Sequence, residues 1–116
     1  MAIHKHKIVE GVKYDTEKIR LDLLPVKPLK EIAKVLTSGA KKYDDRNWEK
    51  GILFHRVYRA CIGHLMDWWD RKDPDKESGL THLAHAGCCI LFLLQYQLLY
   101  PLYKKFDDRP VYKEKK

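Results

Sequence analysis

Four side chains that can bind a cation or transfer a proton lie within residues 75–96. Asp75 and Glu77 occupy a polar turn, and His82 and His85 follow at the start of a segment that is apolar on nearly every side. Carboxylate oxygens suit Mg²⁺ or Mn²⁺, and imidazole nitrogens shift the preference towards Mn²⁺ or another transition metal. Because an unpaired buried polar group costs about 1–3 kcal/mol, the four groups form either a metal site or a hydrogen-bonded core network.

A further imidazole and a further carboxylate precede this stretch on a separate apolar segment. His64 and Asp67 stand three residues apart, a spacing that makes two side chains neighbours on a helix surface. If the two segments pack together, their polar side chains converge on one pocket. The candidate metal ligands are therefore Asp67, Asp75, Glu77, His82, His85 and His64, with Glu31 as a reserve carboxylate.

Three predicted helices must position these groups. The first begins between residues 26 and 29 and ends by residue 43, and the second covers about residues 53–70. The third begins near Ser78, a favourable N-cap residue, and continues to about Leu99. The pattern predicts an all-α fold, a small helical bundle of three main helices with an extended N-terminal arm.

The third predicted helix is too apolar for a three-helix monomer to cover. We therefore expect a homodimer or a higher homo-oligomer. The 116 residues form one predicted helical domain. Within it we expect a basic arm at residues 1–13, a core at residues 14–100 and a basic tail at residues 101–116.

Composition and spacing argue against several classes of protein. The net charge of +7 lies largely at the two ends, and nucleic-acid binding through those ends is a weaker interpretation than solubility or nucleotide binding. Cys61, Cys88 and Cys89 form no CxxC pair and are expected to be free thiols in a reducing, cytoplasmic setting. The apolar stretch 83–99 contains one histidine and two glutamines, which favours a buried helix over a membrane span. No zinc-finger spacing, Walker or dinucleotide glycine motif, or adjacent His-Asp pair occurs.

Polar residues on both sides of the first predicted helix are suited to contact with a nucleotide. Arg46, Asn47 and Trp48 follow that helix, and they offer a phosphate-binding fork, a hydrogen-bonding amide and a stacking surface. A structural role is equally compatible, with Trp48 closing the end of the bundle while its neighbours cap backbone groups. Lys18 and Arg20 alternate in an extended segment and share one face, either as a solvated strip or as phosphate contacts.

Several motifs, taken together, resemble one protein family. They are KIRLDLLP at residues 18–25, GAKKY at 39–43, RNWEKG at 46–51 and DKESGLTHLAH at 75–85. The combination resembles the dATP/dGTP diphosphohydrolase N-terminal domain family, whose members are mostly phage-encoded and stand near the MazG-like nucleotide pyrophosphohydrolases. The resemblance covers residues 14 to about 95, which is most of the chain.

The resemblance implies an all-α enzyme that splits a purine deoxynucleoside triphosphate into a monophosphate and pyrophosphate. MazG-like enzymes hold a divalent metal, here Mg²⁺ or Mn²⁺, with Glu-x-x-Glu and Glu-x-x-Asp pairs. This chain has His-x-x-Asp at residues 64–67 and His-x-x-His at residues 82–85 in the corresponding helices. Asp75 and Glu77 would replace the missing carboxylates.

Roles for individual residues follow from this combination of spacing and resemblance. The candidate catalytic residues are Glu77, Asp75 and His82. The candidate phosphate-binding residues are Lys18, Arg20, Lys42 and Arg46, and the candidate base-facing residues are Asn47 and Trp48. The alternative function is a non-catalytic nucleotide- or protein-binding module, in which the histidines and carboxylates form a structural network.

Overall fold

The computed structural model describes residues 9–113. Its four α-helices are α1 (Val26–Lys42), α2 (Phe54–Trp69), α3 (His82–Leu98) and α4 (Tyr100–Tyr103). Single 3₁₀ turns occur at Leu21–Leu23, Asn47–Lys50 and Lys104–Phe106. The part of the chain that is described contains no strand, which confirms the predicted all-α fold.

Helix α3 packs against both α1 and α2 and is the central element of the bundle. It begins at His82, where the Thr81 side chain accepts a hydrogen bond from the backbone N–H of Leu83. The sequence predicted a start near Ser78, but that hydroxyl is hydrogen-bonded within the preceding loop. Both histidines of the motif therefore lie in the first turns of α3, next to the loop that carries the carboxylates.

Close packing of α1 on α3 depends on a glycine. A Cβ atom added at Gly87 would lie 2.8 Å from the Cδ1 atom of Ile32, so a larger residue would push the two helices apart. Helix α1 ends at Lys42, and the backbone N–H of the following C-cap residue, Tyr43, donates to the carbonyl of Gly39 at 2.8 Å. This end of α1 faces the loop between α1 and α2.

Aromatic side chains form the core at the opposite end of α3. Phe54, Val57, Tyr96 and Tyr103 are buried together, and Tyr96 is fully inaccessible to solvent. Tyr103 belongs to α4 and to the core, although it lies in the segment predicted as a basic tail, residues 101–116. The structure differs because aromatic residues in this segment supply apolar surface that is removed from water.

The C-terminal segment also contacts the start of α2. Gly51 has a φ of 107°, and a Cβ atom there would lie 2.1 Å from the ring of Phe106. Asp108 accepts a hydrogen bond from the backbone N–H of His55 at 2.9 Å, and its second carboxylate oxygen contacts the imidazole of the same residue. These contacts cap the N-terminus of α2 and hold residues 106–108 against the bundle.

Large apolar side chains on one face of α3 are exposed before and after Gly87, the position on this face that packs against Ile32 of α1. Leu83, Ile90, Leu94 and Leu98 are spaced by seven, four and four residues and are between 42% and 71% exposed. This face is the one that the predicted homo-oligomer would cover, and the oligomeric state stays a prediction. Within residues 9–113 no single helix is long and apolar enough to span a bilayer. Helix α3 and Tyr100–Phe106 together have the required length and apolar composition, but the two segments are bent by 104° relative to each other.

The segment before α1 contributes little to the bundle. Residues 9–20 are exposed and contain no helix, apart from a turn in which the Lys18 N–H donates to the Asp15 carbonyl at 3.0 Å. The predicted basic arm at residues 1–13 lies mostly outside the described residues.

Candidate functional site

Two helices and the loop between them bring three potential metal ligands together. His64 comes from α2, Asp75 from the loop, and His82 is the first residue of α3. One ligand atom from each side chain lies within 4.8 Å of the other two. The Nδ1 atoms of His64 and His82 are 2.8 Å apart, so these nitrogens either share a proton or face a common cation.

The orientation of His82 is fixed by the loop backbone. Its Nε2 atom lies 2.9 Å from the carbonyl oxygen of Lys72, which can only accept, so Nε2 carries a proton. Asp73 accepts the backbone N–H of His82 at 2.7 Å and so anchors the first residue of the helix. When the imidazole is neutral, Nδ1 therefore presents a lone pair towards His64, an arrangement typical of a metal-binding histidine.

Ser78 organises the carboxylate side of the group. Its backbone N–H and its hydroxyl both donate to Oδ2 of Asp75 at 2.9 Å. Its hydroxyl oxygen accepts the backbone N–H of Leu80 at 3.1 Å. Because the only hydroxyl proton is used by Asp75, His85 must donate its Nε2–H to Ser78 across their 2.7 Å contact. The imidazole of His85 then stacks on that of His64, with ring centres 4.5 Å apart.

The pKa shifts favour a neutral pair of imidazoles beside an ionised carboxylate. Burial, followed by the other two imidazoles, lowers the pKa of His64, and burial also lowers the pKa of His85. For Asp75, burial acts to raise the pKa, but hydrogen bonds from Ser78 and the neighbouring histidines outweigh it and lower the pKa. At neutral pH His64 can therefore offer a nitrogen lone pair, and Asp75 a negative charge, to a divalent cation.

A groove of about 820 Å³ leads away from this group towards the C-terminal end of α1. His64, Asp75 and His85 line it together with Lys42 and Arg46, whereas His82 is buried and does not line it. Asn47 and Trp48 also lie in its wall. Four of the predicted substrate-binding residues therefore share one cavity with two of the three potential metal ligands, His64 and Asp75.

Glu77 lies at the rim of the groove and outside the three-ligand group. Its carboxylate is 2.9 Å from the ammonium group of Lys42, and the hydrogen bond between them raises the pKa of the lysine. Arg46 is likewise paired, with Glu49 at 2.9 Å. Both cations of the groove are therefore already partnered by carboxylates.

Other predicted site residues are not brought to this group. Asp67 lines a separate apolar groove with Trp68 and Trp69 at the end of α2, because its position is rotated by about 60° from that of His64. Three more predicted site residues lie outside the groove. Lys18 is exposed, Arg20 pairs with Asp22, and Glu31 pairs with Lys34.

Trp48 has a structural contact on one side. Its ring stacks on Phe92 with centres 4.5 Å apart, and its carbonyl accepts the hydroxyl of Tyr96 at 2.5 Å. The structural interpretation of this tryptophan therefore has direct support, although the residue also lines the groove.

The sequence did not identify the groups that orient the potential ligands. They are the Lys72 carbonyl, the Asp73 carboxylate and the Ser78 hydroxyl. Ser78 stands three residues after Asp75, and an aspartate followed by serine is typical of a side-chain-stabilised turn, so this contact could have been found. No sequence signal identifies a backbone carbonyl as a histidine partner.

Comparison with known proteins identifies the family. The family model described as dATP/dGTP diphosphohydrolase, N-terminal, matches residues 9–109. A dATP/dGTP diphosphohydrolase of Salmonella phage PMBT28 is 35% identical over 83 residues, which are 72% of this chain and 28% of that protein. The match therefore spans less than a third of that relative, and no solved structure matches the chain. The chain belongs to the dATP/dGTP diphosphohydrolase N-terminal family.

Proposed function

We propose that this chain hydrolyses a purine deoxynucleoside triphosphate to a monophosphate and pyrophosphate with the help of Mg²⁺ or Mn²⁺. The observation that carries the proposal is the meeting of His64, Asp75 and His82 beside a groove that His64 and Asp75 line together with Lys42 and Arg46. The name of the phage relative supplies the substrate class. Nitrogen and carboxylate ligands beside phosphate-binding cations suit a metal-dependent phosphoryl reaction.

The donor set fits a divalent cation. Two imidazole nitrogens and one carboxylate, all within 4.8 Å of one another, favour Mn²⁺ over Mg²⁺ because nitrogen ligands suit transition metals. A bound divalent cation neutralises phosphate charge and lowers the pKa of a bound water. Ser78 and the Lys72 carbonyl hold Asp75 and His82 in place before substrate arrives.

The paired cations give the groove a way to respond to a triphosphate. Phosphate oxygens would take Lys42 and Arg46 from their present carboxylate partners, because arginine and lysine bind phosphate strongly. Glu77 would then be left as an unpaired carboxylate at the rim. In that state it is placed to accept a proton from an attacking water, which is its proposed catalytic role.

The base would lie towards the loop after α1. Asn47 offers an amide that can donate to and accept from a base edge, and Trp48 forms the wall behind it. We also propose that two copies of the chain associate through the exposed face of α3, since burial of that apolar face is favourable.

Pyrophosphate release from dATP and dGTP, with and without Mn²⁺ or Mg²⁺, tests the proposal. We expect metal-dependent release that is lost in Asp75→Asn and His82→Ala and reduced about 10²–10⁴-fold in Glu77→Gln, the usual range for a general base. Glu31→Gln, a change on α1 outside the groove, is the matched control and should retain activity. Release that is unchanged in all three site variants would remove these residues from the reaction.

A non-catalytic nucleotide- or protein-binding module is the second candidate function. Its support is that, within residues 9–113, no buried side-chain nitrogen or oxygen lacks a hydrogen-bond partner. The histidine network is thus satisfied without an ion. Thermal unfolding with added Mn²⁺ separates the two functions, since a specific site raises the melting temperature with metal concentration and a purely structural network does not.

A further inference from the structure

Three aromatic side chains line the groove, and two of them are already packed on each other. Trp48 and Phe92 are nearly parallel, with an interplanar angle of 12°. Trp48 also lies 6.1 Å from the ring of Tyr96, whose hydroxyl holds its backbone carbonyl. The broad face of the indole on this side is therefore occupied by the core.

Tyr43 is the third aromatic residue and is differently placed. It is the C-cap residue after α1, its backbone N–H donates to the Gly39 carbonyl, and the residue is 57% exposed while lining the groove. The neighbouring ammonium group of Lys42 lies 5.4 Å from the centre of its ring. Tyr43 thus presents an accessible aromatic surface, and the ammonium group of Lys42 lies over its ring and lines the same cavity.

We propose that the purine base stacks on the ring of Tyr43, an inference that rests on the proposed nucleotide hydrolysis. In this arrangement Lys42 and Arg46 bind the phosphates, and Trp48 acts as a wall held by Phe92 and Tyr96. Stacking uses the face of the base and not its hydrogen-bonding edge, so it is tolerant of base identity. A tyrosine platform would therefore allow one groove to bind either adenine or guanine.

The charge and stacking contributions can be separated with two probes. The first is the non-hydrolysable analogue α,β-methylene-dATP, and the second is inorganic tripolyphosphate, which has the charge but no base. Binding of each is measured by calorimetry in the presence of Mn²⁺. From the usual strength of base–aromatic stacking, Tyr43→Ala should weaken binding of the analogue by about 10- to 100-fold.

Three controls make the result specific. Tyr43→Ala should leave tripolyphosphate binding unchanged, and Tyr43→Phe, which keeps the ring, should bind the analogue within about twofold of the wild type. Tyr58→Ala removes a similarly exposed tyrosine, 60% against 57%, from α2 outside the groove and should have no effect. Circular dichroism verifies that each variant is folded.

The possible outcomes are distinguishable. Equal affinity of Tyr43→Ala and the wild type for the analogue, or an equal loss for both probes, overturns the stacking role of Tyr43 and leaves the proposed hydrolysis intact. Wild-type protein that binds the analogue no more tightly than tripolyphosphate overturns base stacking in general. Wild-type protein that binds neither probe and releases no pyrophosphate contradicts the proposed function itself.

Discussion

Replacing Ser78 by alanine should weaken metal binding although Ser78 is not a proposed ligand. The change removes a hydroxyl that donates a hydrogen bond to Asp75. The same hydroxyl accepts hydrogen bonds from Nε2–H of His85 and from the backbone N–H of Leu80. Groups that orient metal ligands typically change metal affinity by 10- to 100-fold. The backbone N–H of residue 78 still donates to Asp75, so part of the arrangement survives the change.

The size of the effect on thermal stability can be worked out. At a Mn²⁺ concentration 100 times the wild-type Kd, metal binding stabilises the wild type by about 2.7 kcal/mol, and a 10- to 100-fold weaker site retains about 1.4 to 0.4 kcal/mol. For a domain of this size, about 4 °C per kcal/mol gives a rise of about 11 °C for the wild type and about 2–6 °C for Ser78→Ala. Without metal, the lost hydrogen bonds should cost the variant about 1–3 kcal/mol.

The assay is a thermal melt followed by circular dichroism over a Mn²⁺ titration. Ser38→Ala is the matched control, because this serine also lines the groove but lies on α1, away from the potential ligands. It should show the full wild-type rise. The reasoning is refuted if Ser78→Ala and the wild type gain the same number of degrees from the metal.

Three further predictions concern the rest of the fold. Gly51→Ala places a side chain on a backbone with a φ of 107° and 2.1 Å from the ring of Phe106. The free energy of unfolding measured in urea should therefore fall by at least about 2 kcal/mol. A smaller decrease would contradict the observed packing of the C-terminal segment. Burial raises the pKa of Cys88 to about 12 and of Cys89 to about 11. A thiol reagent at pH 8 should therefore label these two cysteines only after unfolding, because the thiolate is the reactive form. Rapid labelling of the folded protein would argue against their burial. Hydrogen bonds from Arg109 and Tyr100 lower the pKa of Asp107, so its carboxylate stabilises the fold above its unfolded pKa of about 3.9. This contribution is lost gradually as the pH falls from that value through the lower folded pKa. The urea midpoints of wild type and Asp107→Asn should therefore differ at pH 6 and approach each other progressively below about pH 4.

Periodic segments could be predicted well from the sequence. The expected second helix, residues 53–70, agrees within one residue at each end with Phe54–Trp69, because its apolar positions recur at helical spacing. The start of α3 was placed about four residues too early. Serine is a favourable N-cap residue, but the Ser78 hydroxyl donates to Asp75 and accepts from Leu80 within the loop, so it does not cap a helix.

Contacts between distant segments were harder to predict. Tyr103 is buried and donates to the carbonyl of Glu49 at 2.6 Å, a pairing across 54 residues that no local pattern reveals. The same limit applies to the site. The sequence predicts that His64 and His82 converge only if their two segments pack together, and in the structure their Nδ1 atoms are 2.8 Å apart. The tertiary path of the chain keeps Lys18 and Arg20 away from the groove.

The central claim is that His64, Asp75 and His82 jointly hold a divalent cation. Pulsed electron paramagnetic resonance of Mn²⁺ bound to the chain tests this claim most directly, because directly coordinated imidazoles produce nitrogen hyperfine couplings. We predict couplings from two imidazole nitrogens in the wild type and from one in His64→Ala and in His82→Ala. Mn²⁺ that shows no nitrogen coupling, or that does not bind, would contradict the claim.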